Sequence, residues 1–185
     1  MWALVEDNAI TKIINQPKGM VIGDIRYSRK IFELWSEEEL NNVGLYSVIF
    51  DDSNKRNEEF YINTNQSFNY ADGQVTASYG SATGKEIDDV TIDGVTTKGL
   101  KTIKKEIVKK QADTELSKTD WYVVRKADDG TLIPSAITEH RTAVRNKSNE
   151  METAINNALD IDALASLYIY TDGERPLGEF PILEI

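Results

Sequence analysis

The stretch DGVTTKGLKTIKKEI, residues 93–107, marks the point where the chain changes from one kind of secondary structure to another. Asp93-Gly94 favours a tight turn between two short β-strands, because both residue types tolerate a left-handed backbone. Immediately afterwards the apolar residues recur at helical spacing, and Leu100, Ile103 and Ile107 are predicted to line one helix face. Strands before this point and helices after it indicate an α+β protein.

The predicted boundary lies between Gly80 and Gly99, where small and turn-forming residues are frequent. We therefore expect an N-terminal antiparallel β-rich module at residues 1–95. A C-terminal helical module with a short extended tail is expected at residues 96–185.

The N-terminal module carries several local signals of hairpins and one of a helix. Asp7-Asn8 lies between two apolar segments and predicts a hairpin turn. Ser36 and Glu39 have the spacing of a capping box, and Gly44 is suited to end the helix that follows. The sequence predicts mainly antiparallel strands to about residue 80, with one short helix near residues 37–43.

The C-terminal module is predicted to contain a helix at residues 100–116, a short helix at residues 121–127 that ends at Asp129-Gly130, and a long helix to about Ala158. In the long helix, apolar residues recur at intervals of seven and four, which predicts one buried face. The residues of this face are Ile137, Val144, Met151 and Ile155.

Composition excludes several classes of protein. The net charge of −10 argues against a general affinity for nucleic acid. No apolar run approaches the roughly 20 residues of a membrane span, and the first residues do not resemble a secretory signal, so we expect an intracellular protein that does not bind membranes. One lysine-rich stretch is predicted to be a solvated helix face, with an acidic partner as the alternative. Its lysines are Lys98, Lys101, Lys104, Lys105, Lys109 and Lys110.

The residues give no sign of catalysis. The chain lacks cysteine and has one histidine, His140, so zinc–thiolate sites and a histidine-based triad with a serine elbow find no support. His140 is interpreted as a surface or packing residue. We therefore predict a protein that is not an enzyme and has no catalytic residue, no metal site and no cofactor.

Aromatic residues are more informative. Trp121-Tyr122 lies in a short segment with too little chain to bury both rings, and such side chains are frequent in both cores and binding interfaces. For each ring, the sequence is compatible with packing in the core and with contact at an interface. Trp35, immediately before the predicted N-cap Ser36, is expected to pack in the core.

The segment from residue 119 to residue 152 resembles the C-terminal region of small tailed-bacteriophage proteins that are described as tail assembly chaperones or tail-fibre assembly proteins. The shared pattern is Thr-Asp-Trp, a spacer with proline, and a helix with two arginines four residues apart. In this chain His140 replaces the aromatic residue that precedes the first of those arginines. The matching residues are Thr119, Asp120, Trp121, Tyr122, Arg125, Pro134, Arg141, Arg145 and Glu150. Residues 178–181, Gly-Glu-Phe-Pro, are similar to the ending of such proteins.

The resemblance implies a non-enzymatic protein that binds phage tail-fibre subunits or other tail or baseplate proteins, as an oligomer or a hetero-complex. It implies a location in the host cytoplasm during assembly, with or without retention in the virion tail. The residues expected to contact a partner are Trp121, Tyr122, Arg125, Arg141 and Arg145. For each arginine, a solvated helix surface is the alternative.

Two further functions stay open at this point. One is a permanent structural component of the tail or baseplate, such as a fibre-attachment adaptor. The other is a small glycan-binding or glycan-active module at a fibre tip.

Overall fold

The computed structural model describes residues 1–183 and confirms an α+β protein with a β-rich N-terminal region followed by helices. The chain forms two compact units, Met1–Thr83 and Gly84–Ile185. This division falls within the Gly80–Gly99 window that the sequence indicates, and it lies before the expected end of the first module at residue 95. The reason is that the backbone N–H groups of Leu100 and Lys101 donate to the carbonyls of Glu86 and Ile87 at 3.0 and 2.9 Å, which ties the preceding hairpin to the helical unit.

The first unit is built from short strands and two short helices. Its elements are β1 (Trp2–Glu6), β2 (Ala9–Ile14), β3 (Met20–Ile22), β4 (Ile25–Tyr27), α1 (Ile31–Leu34), α2 (Glu37–Asn41), β5 (Leu45–Asp51), β6 (Tyr61–Ile62), β7 (Ser67–Ala71) and β8 (Gln74–Ser78). The division between the units falls within β9 (Thr83–Gly84).

Five of these strands form one sheet in the order β2-β1-β5-β8-β7. The edge strands β2 and β7 approach each other, so the sheet curls into a half-barrel. As predicted, the neighbouring strands are mainly antiparallel; the exception is the pair of β5 and β8, which run parallel, with Val48 opposite Val75. The long connection between them, which includes β6 and β7, provides the crossover that a parallel pair requires.

Residues of β1 alternate between the two faces of the sheet, as the period of a strand requires. Leu4 packs with Leu45 and with the helices, where Ile31 and Leu40 are buried. Ala3 and Val5 belong to the opposite cluster, together with buried Val48, Val75 and Ala77. Each face of the sheet therefore has its own apolar cluster.

The capping box of α2 is confirmed. The backbone N–H of Ser36 donates to Glu39 Oε2 at 2.8 Å, and the Glu39 N–H donates to Ser36 Oγ at 3.3 Å. The Ser36 N–H lowers the pKa of the Glu39 carboxyl, and the Ser36 hydroxyl, which donates to the same oxygen at 2.9 Å, adds to the effect. Gly44 has a φ of +80°, as its predicted stop position requires. One helix was expected here, whereas two occur, because α1 forms a single turn that Ile31 anchors in the core.

The second unit begins with a hairpin of β10 (Val90–Ile92) and β11 (Val95–Thr97), with the predicted turn at Asp93-Gly94. Four helices follow. They are α3 (Leu100–Ser117), α4 (Asp120–Asp129), α5 (Ser135–Asn157) and α6 (Ile161–Ser166). Within the described part of the chain, none of the helices has the length and apolar character to span a membrane.

Helices α3 and α5 pack against each other. The predicted face of α5 is confirmed, since Ile137, Val144, Met151 and Ile155 are all buried. The predicted face of α3 is wrong, because Ile103 and Ile107 are 39% and 44% exposed. The buried residues of α3 are Leu100, Lys104, Val108 and Ala112.

Lys104 explains why the pattern of apolar residues misplaced this face. Its side chain occupies a core position with 3% exposure, and its Nζ lies 4.4 Å from the centre of the Tyr168 ring. An aromatic face attracts an ammonium group and offsets part of the cost of burying it. The buried face of α3 therefore consists of residues at intervals of four, with Lys104 among them, and does not include the predicted Ile103 and Ile107.

Most of the other lysines in this stretch have partners within the chain. Lys98 pairs with Glu106, Lys101 with Asp88 at 3.1 Å, and Lys109 with Glu152 at 3.3 Å. Lys105 donates to Asn156 Oδ1 at 3.4 Å. These contacts favour the interpretation as a helix surface over a site for an acidic partner.

Candidate protein-interaction surface

Helix α4 is the least buried of the longer helices. None of its residues is buried, and its apolar side chains face solvent, including Trp121 at 51% exposure and Val124 at 66%. The helix begins after Thr119 and ends at Gly130, whose left-handed backbone, with a φ of +77°, forms the predicted C-cap. This ten-residue helix therefore adds no fully buried side chain to the core.

The rings of Trp121 and Tyr122 lie against each other, with centroids 3.8 Å apart and planes inclined by 32°. The guanidinium of Arg125, one turn further on, lies 4.7 Å from the Trp121 ring and 5.6 Å from the Tyr122 ring. Arg125 Nε is buried and has no hydrogen-bond partner. The contact between the guanidinium and the two rings is therefore a cation–π interaction. We call Trp121, Tyr122, Val124 and Arg125 the α4 aromatic surface.

Arg141 lies on α5, and its side chain is only 11% exposed. Its Nη1 contacts the Leu116 carbonyl and Thr119 Oγ1 at 2.7 Å each, and Asp120 Oδ1 at 2.9 Å. These acceptors lie at the end of α3 and the start of α4. Arg141 was predicted to contact a partner, but its guanidinium is bound within the chain, where it positions the start of α4. We call this set of contacts the Arg141 clamp.

Arg145 follows Arg141 by one turn and is exposed. Its Nη1 makes a single long contact, 3.4 Å, with the carbonyl of Arg141. It also borders an open groove of about 340 Å³ that Ala112, Leu116 and Ser148 line in part. Arg145 is thus available for an outside partner.

The structure therefore gives the five predicted residues three different environments. Trp121, Tyr122 and Arg125 form one continuous stack, and Arg145 is an exposed cation. Arg141 is structural. The sequence pattern includes Thr119 but gives no role for it; the residue is 1% exposed and connects the clamp to α3, and only the folded chain brings it next to Arg141.

Other candidate chemistry receives no support from the geometry. His140 is 7% exposed on the buried side of α5, which agrees with the packing interpretation. Among residues 1–183, no group of three or more histidine, aspartate and glutamate side chains is arranged to hold a metal ion.

Comparisons with known proteins add no assignment to this surface. No model of a protein family matches the chain, and neither the curated proteins nor the solved structures contain a match. The geometry of α4 and the pattern of its residues are therefore the basis for a function.

Proposed function

We propose that this protein acts without catalysis, by binding other proteins through the α4 aromatic surface, as a tail-fibre or tail assembly chaperone of a tailed phage. The observation that carries the proposal is the exposure of Trp121 and Val124 on a helix that buries none of its own residues. A protein that needed α4 only for its own stability would turn this apolar side inward.

The residue types support a binding role. Tryptophan, tyrosine and arginine are the residues most enriched among those that dominate binding energy. The stack of Arg125 on Trp121 and Tyr122 also restricts these side chains before a partner arrives. A surface ordered in advance loses less conformational entropy on binding, so more of the contact energy becomes affinity.

The pattern of residues 119–152 supports a phage tail-fibre, tail or baseplate subunit as the partner, and the host cytoplasm during assembly as the place of action. The net charge of −10 is compatible with a protein partner and unfavourable for nucleic acid.

The test is capture of tail-fibre and baseplate subunits of the same phage by the full-length protein and by Trp121→Ala. If Trp121 anchors the contact, its truncation costs more than about 2 kcal/mol of binding, or roughly a thirtyfold loss of affinity. Tyr170→Ala is the matched control, because Tyr170 is a 57% exposed aromatic residue outside α4.

We expect the control to bind like the parent protein and Val124→Asp to lose binding as Trp121→Ala does. Circular dichroism of each variant shows whether the fold is retained. Equal capture by the parent, folded Trp121→Ala and folded Val124→Asp would refute a binding role for α4.

A second measurement separates a chaperone from a permanent tail component. Mass spectrometry of purified particles should find the protein absent or far below the copy number of tail subunits if it is released during assembly. Stoichiometric presence would instead assign it to the tail or baseplate as a structural part.

A further inference from the structure

A small pocket lies beside α2 in the first unit. Three separate parts of the chain form its walls, namely α2, strand β5 and the turn that connects β7 to β8. It has a volume of about 130 Å³. Because a water molecule takes about 30 Å³ of the liquid, this volume has room for roughly four or five non-hydrogen atoms. The lining includes Glu37, Asn41, Ser47, Ile49, Gly73 and Gln74.

Glu37 is the only charged residue among the described residues that line this pocket. Its Oε1 accepts a hydrogen bond from Ser47 Oγ at 2.5 Å, so β5 holds the carboxylate at the pocket wall. The hydroxyl of Ser47 and the amides of Asn41 and Gln74 supply further oxygen atoms that accept hydrogen bonds. The pocket therefore combines one negative charge with several acceptors and no basic side chain.

One acceptor at this wall lacks a donor. Asn41 Oδ1 is buried and has no hydrogen-bond partner within the described chain. Most buried polar atoms in folded proteins have such a partner, so an unsatisfied oxygen requires an explanation. The χ2 torsion of asparagine is broad, and a rotation of the amide can therefore present Oδ1 to a donor that enters the pocket. An occupant that brings N–H groups satisfies this oxygen.

Ile49 gives the pocket an apolar wall, since its side chain is 48% exposed on β5. Basic side chains cover apolar surface with their alkyl stems and keep the charged end among polar groups. We propose that the pocket receives a lysine side chain of a partner protein, with the stem on Ile49 and the ammonium group at Glu37 and Asn41. This contact is in the first unit and does not depend on the α4 aromatic surface.

Size and charge favour lysine over other occupants. Its stem of four carbons and one nitrogen matches the volume of the pocket, whereas a sugar ring with its hydroxyl groups exceeds it. A polyamine carries further ammonium groups, but the lining offers one carboxylate. Arginine pairs best with both oxygens of a carboxylate, and Ser47 already engages one of them. The net charge of −10 attracts a basic partner.

The test is an NMR titration of the full-length protein with n-butylammonium, which reproduces the lysine side chain, and with 1-butanol as its neutral counterpart. We expect saturable shifts of the Asn41 side-chain amide and of the Gly73 and Gln74 backbone amides. The Kd should be on the order of 1 mM, which is within the range for ligands of this size. The neutral 1-butanol should give no saturable shift at these amides.

Two variants with the same change in net charge form the matched comparison. Glu37→Gln keeps the shape of the side chain but removes the charge from the pocket, and should weaken binding about fivefold. Glu38→Gln removes a charge from the next residue of α2, which is exposed and is not part of the lining, and should bind within about twofold of the parent. Asn41→Asp adds a second carboxylate and should bind more tightly than the parent. Circular dichroism checks that each variant is folded.

A second titration separates a lysine side chain from a free polyamine. N-acetyl-lysine N-methylamide should shift the same amides as n-butylammonium, with a similar Kd. Spermidine that binds more than about tenfold tighter than the blocked lysine would assign the pocket to a small molecule and overturn the proposal. The absence of saturable shifts with n-butylammonium, equal binding of 1-butanol, or an equal loss in Glu37→Gln and Glu38→Gln would overturn it as well.

Discussion

Replacing Arg141 by alanine tests the most specific structural claim, that this side chain holds the start of α4 in place. Three acceptors surround Nη1, the Leu116 carbonyl, Thr119 Oγ1 and Asp120 Oδ1, at 2.7, 2.7 and 2.9 Å. One nitrogen carries only two N–H groups, so the three contacts count as two hydrogen bonds. A hydrogen bond to a charged group contributes about 1.5–3 kcal/mol, which gives a gross loss of roughly 3–6 kcal/mol.

Two features of the clamp reduce this figure. Asp120 is 57% exposed, so water compensates its carboxylate when Arg141 is absent. The Leu116 carbonyl keeps the Thr119 N–H and hydroxyl as donors, at 3.1 and 3.0 Å, and is not left unsatisfied. We therefore expect Arg141→Ala to destabilise the position of α4 by about 2–3 kcal/mol.

Hydrogen exchange with peptide resolution is the appropriate assay, because the protein has two units and global unfolding does not have to be two-state. A loss of 2–3 kcal/mol corresponds to exchange about 30- to 150-fold faster for the amides of α4. Arg145→Ala is the matched control. It removes an arginine one turn further on that makes a single 3.4 Å contact, and should change stability by less than about 0.5 kcal/mol.

A double-mutant cycle compares Arg141→Ala, Asp120→Ala and the variant with both changes. Their effects on stability should be clearly non-additive because the two residues are in contact. Equal exchange in Arg141→Ala and Arg145→Ala would refute the clamp.

Two further predictions concern the helical unit. Val144 is fully buried, so Val144→Asp should lower the free energy of unfolding by about 3 kcal/mol or more. The control Asn146→Asp, at an exposed position of the same helix, should change this free energy little. If urea unfolding gave the same stability for both variants, the predicted face of α5 would not be part of the core. The Gly99 N–H holds the pKa of Asp89 below its ordinary value of 3.8, and the Thr102 hydroxyl adds to the effect. The stability that the ionised Asp89 contributes to the folded protein is therefore complete above about pH 3.8 and is lost as the pH falls through the lowered pKa. The Gly99 amide shift in NMR should report this transition, and Asp89→Asn should abolish it.

Local chemistry accounts for the parts of the fold that could be predicted from the sequence. The turns at Asp7-Asn8 and Asp93-Gly94 have the expected positive φ values, and Ser36 with Glu39 forms the expected capping box. Each of these features depends on residues fewer than five positions apart, which is the range over which turn and cap preferences act.

The features that were missed depend on contacts between distant residues. The parallel pairing of β5 with β8 is decided by a long crossover that no local pattern specifies. Lys104 takes a core position because the Tyr168 ring, far along the chain, lies over its ammonium group. For the candidate site, residue types left core and interface positions open for Trp121 and Tyr122, and they could not show that Arg141 would bind Thr119 instead of facing outward.

The clamp also makes the proposed function separable from stability. Trp121 contributes little to the core, because half of its surface is exposed and its main contacts are with its own helix neighbours Tyr122 and Arg125. Its truncation removes a cation–π contact of about 0.5–1 kcal/mol at an exposed site, so the fold should persist. Arg141→Ala has the opposite character, since it leaves the aromatic stack intact but loosens the helix that presents it. If α4 is the binding surface, Trp121→Ala should weaken binding while the hydrogen exchange of the α4 amides stays the same. Arg141→Ala should weaken binding only to the extent that the α4 amides exchange faster.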